Sequence, residues 1–159
     1  TEKLLDELQF QVFQCGQHDL GYVKKLKEQT STSRWPELRE RLLTGKTLPG
    51  DLREAFLAQE GLYARLMDRV AALESLQTLD RWEDVLRPQF PERMRDAYIQ
   101  CLDTRMRLAS DRKQYAAAIS YLKKLRTYPG GKDAALARRW RTAYPRRRSM
   151  LDELGKAGY

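Results

Sequence analysis

Apolar residues recur at three- and four-residue intervals along almost the whole chain, and each run stops at a glycine, a proline or a cluster of small polar residues. That period places the apolar side chains on one face of an α-helix. Leu4, Leu5, Leu8, Val12 and Phe13 form the first run, which Gly16 ends, and Asp19 can cap a second carrying Tyr22, Val23 and Leu26. Ser33, with Pro36 in the first turn, opens a third through Leu38, Leu42 and Leu43. Gly45 to Gly50, with Pro49 inside, reads as a loop, and Asp51 starts a short helix through Phe56. The strongest segment runs from Glu60 to Leu76, with Leu62, Leu66, Val70 and Leu73 on one face and Tyr63 and Met67 widening it.

Thr78 and Asp80 can open a helix with Trp82, Val85 and Leu86, after which Pro88 and Pro91 bracket a bend. Pro91 suits the first position of the next helix, which shows Met94, Tyr98, Cys101 and Leu102 on one side and reaches Ala109. Ser110 and Asp111 make a cap-like step before the stripe Tyr115, Ala118, Ile119, Leu122 and Leu125. Tyr128-Pro129-Gly130-Gly131 is a stop; Leu136, Trp140, Ala143 and Tyr144 form the next face, Pro145 breaks it, and Met150, Leu151 and Leu154 close the chain. β-Branched residues are few and no alternating run stands out, so strands are not expected.

Helices of this length joined by short turns predict an all-α fold of stacked antiparallel helix pairs, either tetratricopeptide-like or an irregular helical bundle or array. The chain reads as one helical domain over 1–159, with natural sub-units at 1–88 and 91–159. The second half suggests two successive pairs, Pro91–Tyr128 and Lys132–Gly155. Because it begins at Thr1 without methionine, the chain reads as a piece of a longer protein.

Composition adds constraints. The 159 residues are 42% hydrophobic and 33% charged, and no apolar run approaches the ~18–20 residues that cross a membrane. Glu2, Asp6 and Glu7 interrupt the first apolar run, so no signal peptide is expected. Cys15 and Cys101 are too few for a disulfide framework, which points to a cytoplasmic setting and small buried thiols.

Candidate chemistry is sparse. His18, the one histidine, makes a C-x-x-H spacing with Cys15, two ligands where zinc needs three or four, so no metal or cofactor is expected. Asp80, Glu83 and Asp84, and later Asp152 with Glu153, read as solvated faces or ion-pair partners rather than acid–base pairs. Gly130-Gly131 lacks the preceding strand and the following lysine–hydroxyl pair of a phosphate loop.

The net charge of +8 is concentrated. Lys123, Lys124, Arg126, Lys132, Arg138, Arg139, Arg141, Arg146, Arg147 and Arg148 share their stretch with a single acid, Asp133, and the rest of the chain nets −1. Arg138 and Arg141 should face solvent, with Arg139 on the flank. Arg146, Arg147 and Arg148 should occupy the first turn of the last helix, where the helix dipole disfavours positive charge. Three such residues together imply compensation by internal acids (Asp80, Glu83, Asp84, or Asp152 four residues after Arg148) or by an external polyanion. Tyr128, Trp140 and Tyr144, interleaved with these cations, fit either core packing or stacking against bases.

The stretch from Ser110-Asp111-Arg112-Lys113-Gln114-Tyr115 through a Gly-Gly turn to Tyr144-Pro145-Arg146-Arg147-Arg148-Ser149-Met150-Leu151-Asp152-Glu153-Leu154 resembles the C-terminal helical region of bacterial SWIM zinc-finger proteins. Tyr144, Arg146 or Arg147, Leu151, Glu153 and Leu154 match that ending, while Ser149-Met150 stand where the family often has Pro-Ala. The resemblance spans Ala109 to Leu154. It implies an upstream zinc module of the C-x-C…C-x-H kind, bound to DNA or protein, but no C-x-C occurs in this chain, so neither zinc nor its activity carries over.

The sequence therefore predicts a non-enzymatic helical interaction module, without cofactor and not in a membrane, that docks a protein partner or another domain of its own protein. The alternative is an accessory nucleic-acid surface built on Lys123, Lys124, Arg138, Arg139, Arg141, Arg146, Arg147 and Arg148.

Overall fold

The structure, a computed structural model, describes residues 20–44 and 50–159, and among them every regular element is helical. The first amphipathic run, with Cys15 and His18, and nearly all of the Gly45–Gly50 loop lie outside the described residues. The helices are α1 (Leu20–Gln29), α2 (Trp35–Thr44), α3 (Gly50–Gln59), α4 (Tyr63–Leu73), α5 (Leu76–Leu86), α6 (Pro91–Leu108), α7 (Arg112–Ser120), α8 (Leu122–Arg126), α9 (Lys132–Ala143) and α10 (Arg148–Lys156).

Contacts divide the chain into two units, Thr1–Leu66 and Met67–Tyr159, so the division falls inside α4. The Pro88–Pro91 bend, expected as the boundary between sub-units, lies within the second unit. Charge follows the same division. The first unit has ten Lys and Arg and ten Asp and Glu, and the second has twenty against twelve, so the second carries the whole net +8.

In the first unit Val23, Trp35, Leu38, Leu42, Leu43, Phe56, Leu57 and Leu66 are buried. Trp35 meets Phe56 edge to face, with ring centroids 6.2 Å apart. Glu60, whose side chain is almost fully buried, accepts from Trp35 Nε1 and, at 2.6 Å, from Lys27 Nζ. A buried carboxylate needs such donors, because stripping its water without replacement costs several kcal/mol.

The second unit is built by caps and breakers that fix where each helix starts. Ser75 rather than Thr78 caps α5, accepting from Thr78 N, and Pro91 occupies the first turn of α6. Asp111 caps α7 by accepting from Gln114 N at 2.8 Å, while Gln114 Oε1 accepts in return from Ser110 N at 2.7 Å. Gln114 N is one of the orphan N–H groups every helix start must satisfy, and the Ser110 bond pins the chain just before the cap. Tyr115, Ala118, Ile119, Leu122 and Leu125 are all buried, as their spacing predicts, although the helix is interrupted at Tyr121 between α7 and α8. Gly130 and Gly131, both at positive φ, turn the chain from α8 into α9.

Packing in this unit is not a simple succession of pairs. α5 lies against α6, α6 against α7, and α9 against α8, whereas α10 packs chiefly on α7. The expected pairing of α9 with α10 thus gives way to contacts one and three elements back, and the array is irregular. No helix among the described residues is long and apolar enough to cross a membrane.

Candidate functional site

The cations of the basic block divide into two groups. Lys124 Nζ lies 2.8 Å from Asp80 and 3.1 Å from Glu83, and Arg126 lies 3.2 Å from Asp133. Arg139 pairs with Asp103, and Arg141 donates to the backbone oxygen of Tyr159. Arg147 donates to the carbonyls of Met106 (2.6 Å) and Arg107 (3.3 Å) and stacks 3.9 Å from the Tyr144 ring centroid. By contrast Lys123, Lys132, Arg138, Arg146 and Arg148 are exposed and have no ion pair among the described residues.

Three expectations about this block are corrected, the first being Arg141, which does not face solvent but is half-buried and donates to Tyr159 O. Arg146 and Arg147 are not in the first turn of the last helix, because α10 begins at Arg148 and Arg147 precedes it as the cap residue. Only Arg148 is left within the first turn, so the cost expected from three cations there is reduced. Arg147 sits at the other kind of helix end, the C-terminus of α6, where carbonyls carry partial negative charge and a cation is favoured. Nor does Arg148 pair with Asp152, which is held by Arg112 at 2.6 Å and Lys156 at 3.4 Å.

Arginines donating to carbonyls recur. Arg87 donates to Thr127 O at 2.6 Å and Arg95 to Pro129 O at 2.9 Å, both at the end of α8. A carbonyl satisfies a guanidinium without cancelling its charge. Arg87 and Arg95 each also reach a carboxylate, Glu83 at 3.4 Å and Asp96 at 3.1 Å, so among these three only Arg147 is held by carbonyls without an ion pair among the described residues.

The carboxylates Asp80 and Glu83 are embedded in a polar network. The Tyr98 hydroxyl lies 2.7 Å from Asp80 and 2.6 Å from Glu83, sharing one hydrogen between them, and Tyr121 donates to Asp80 at 2.7 Å. Burial alone would raise the Asp80 pKa, but hydrogen bonds from Lys124, Tyr98 and Tyr121 outweigh it and hold the carboxyl below its ordinary range. Burial pushes the Tyr98 phenol far above its ordinary value, and the two carboxylates push it further. Cys101 is buried, its thiol donates to Glu74 O at 3.2 Å, and burial raises its pKa, which favours the neutral thiol. Among the described residues no group of three His, Cys, Asp or Glu is placed to hold a metal.

Two concave surfaces flank the C-terminal end of α6. The first, about 310 Å³, is lined by Asp103, Thr104, Arg107, Arg139, Trp140, Ala143 and Tyr144. It brings together three residues singled out in the sequence, Arg139, Trp140 and Tyr144, and adds Arg107. Trp140 itself is buried and donates to Asp103 at 2.9 Å, and Tyr128 is buried too, so core packing accounts for both rings.

The second surface is a trough of about 460 Å³ between α5, α6 and α7. Leu76, Leu108, Ala109, Ala117 and Ala118 supply its apolar part, Gln77, Gln114, Arg105 and Tyr121 its polar part. Leu108 is 70% exposed, although it stands seven residues, two helical turns, after fully buried Cys101 on the same face of α6. The face that packs at Ala97 and Cys101 therefore continues past its cover. The signal lay in the sequence as the run Ala97, Cys101, Leu108, but periodicity says which side is apolar and not where its partner ends.

Comparison with protein-family models, with curated proteins and with solved structures finds no match to this chain.

Proposed function

We propose that this chain is a non-catalytic helical docking module whose second unit binds a protein partner, or another domain of its own protein, at the trough between α5, α6 and α7. One observation carries this reading: the buried face of α6 runs on to Leu108, which is 70% exposed beside an alanine-lined floor. Isolated exposed leucines are ordinary, but one that extends a packed face into a concave apolar trough has the make-up of a docking site. The resemblance of Ala109–Leu154 to the end of SWIM zinc-finger proteins supports a positioning arm beside other modules in a longer intracellular protein.

A second reading rests on five surface cations without an ion pair among the described residues, Lys123, Lys132, Arg138, Arg146 and Arg148, which would suit an accessory nucleic-acid surface. It ranks lower because Lys124, Arg126, Arg139, Arg141 and Arg147 already have acid or carbonyl partners within the chain.

Capture with the whole chain from nuclease-treated and untreated extracts separates the two. Docking of a protein predicts a specific protein that survives nuclease treatment and rebinds after purification, with a shallow salt dependence. Recovery that vanishes with nuclease, or direct RNA or DNA binding that falls steeply with salt, would overturn the first reading in favour of the second.

A further inference from the structure

We infer that the occupant of the α5–α6–α7 trough is an acidic amphipathic helix of a partner protein, with an apolar side chain against Leu108 and the alanine floor and a carboxylate at Arg105. This rests on the docking reading above and adds the chemistry of the partner.

The lining sets these terms. Arg105 and Leu108 are three residues apart on α6 and so project as neighbours from one face. On the opposite wall Gln114, Ala117, Ala118 and Tyr121 follow the i, i+3, i+4, i+7 spacing of a single helical face. Between these walls Ala109, Ala117 and Ala118 carry small side chains, which leave room for a bulky aliphatic group from outside. The rim is polar but not acidic: Gln77 and Gln114 can donate and accept, and Arg105 is the one charged residue in the lining. Lys113, next to Gln114, is exposed, has no ion pair among the described residues and adds a second positive charge. A partner with an apolar residue and an acid three or four positions away matches this arrangement, since those positions share a helix face.

Charge argues against the other occupants. A second copy of this chain would bring together two units of net +8, which repel. A nucleic-acid backbone needs several cations along its track and has no use for an apolar floor. An acidic helix gains from the field of the whole unit during approach and from the trough on arrival.

The test uses the whole chain and a displayed library of random helical peptides of about 15 residues, the length at which isolated helices begin to hold. The enriched pool should pair a Leu, Ile, Met or Phe with Glu or Asp three or four residues away. A synthesised member should lose at least about tenfold in affinity to the Leu108→Asp chain and to the Arg105→Glu chain. Arg138→Glu, which alters the net charge as much as Arg105→Glu but lies outside the trough, should cost about twofold or less. Melting curves of the three variants should match the parent, since all three side chains are exposed. The inference fails if no pool is enriched, if the pool is basic or lacks acids, if binding ignores Leu108→Asp, or if Arg138→Glu matches Arg105→Glu. Failure of the docking reading looks different: there a nuclease-resistant protein partner is never captured. If such a partner is captured equally by the Leu108→Asp chain, docking stands and the trough does not.

Discussion

The guanidinium of Arg147 gives donors to the carbonyls of Met106 and Arg107 while its plane rests 3.9 Å from the Tyr144 centroid and 5.5 Å from that of Tyr115. Hydrogen bonds to a charged donor are worth about 1.5–3 kcal/mol when buried and less in this half-exposed position. Arg147→Ala should therefore destabilise the second unit by about 1–2 kcal/mol in urea unfolding. Arg147→Lys should restore less than half, because an ammonium keeps the charge but not the planar fork and stack. Arg146→Ala and Arg148→Ala, whose exposed side chains make no hydrogen bond or ion pair among the described residues, should lie within about 0.5 kcal/mol of the parent. From the sequence the three arginines are equivalent. What separates them is the carbonyl end of α6, forty residues earlier in the chain, and local pattern holds no information about that approach.

At the scale of elements, the turn from α8 to α9 depends on two glycines in unequal settings. Gly131 has φ 55° and open space where a Cβ would stand, whereas a Cβ on Gly130, at φ 93°, would meet Arg95 Nη1 at 3.1 Å. Gly131→Ala should cost about 1 kcal/mol from the left-handed backbone alone. Gly130→Ala should cost more, about 2–3 kcal/mol, because it also disturbs the Arg95 hydrogen bond to Pro129 O. Thermal unfolding of the two variants checks the order. This turn, the Pro91 start of α6, the Asp111 cap of α7 and the buried stripe of α7 and α8 are all legible in the sequence, because glycine, proline, capping residues and period act locally. The packing of α10 on α7 is not, since a helix face records that it needs a partner but not which one. The trough shares that limit: Leu108 is in phase with Cys101, and only the assembled array shows the cover ending between them.

For the second unit as a whole, charge and burial set the response to pH. Partial loss of water acts to raise Asp80 and Asp133, yet hydrogen bonds lower both, Asp133 through Tyr159, Arg126 and the Ala134 amide. Their stabilisation is complete above the ordinary Asp value of about 3.9 and is lost as pH falls below it through the folded-state values. Tyr98 shifts the other way. Its contribution is complete below the ordinary tyrosine value of about 10 and is lost as pH rises through and above it. Urea midpoints measured against pH should show a plateau with losses at both ends. Asp80→Asn should flatten the acid limb and Tyr98→Phe the alkaline one, each lowering the plateau. The positive excess that the sequence placed in one block is divided by the fold into cations that hold the unit together and cations that face outward, and neither group lines the apolar trough. On the proposed docking reading, partner binding depends on that trough and not on the outward cations. The direct measurement compares capture of the purified partner by the parent chain, by Leu108→Asp and by the triple variant Arg138→Glu, Arg146→Glu, Arg148→Glu. Leu108→Asp should abolish capture while the triple variant retains most of it; the reverse pattern would place the docking surface on the outward cations instead.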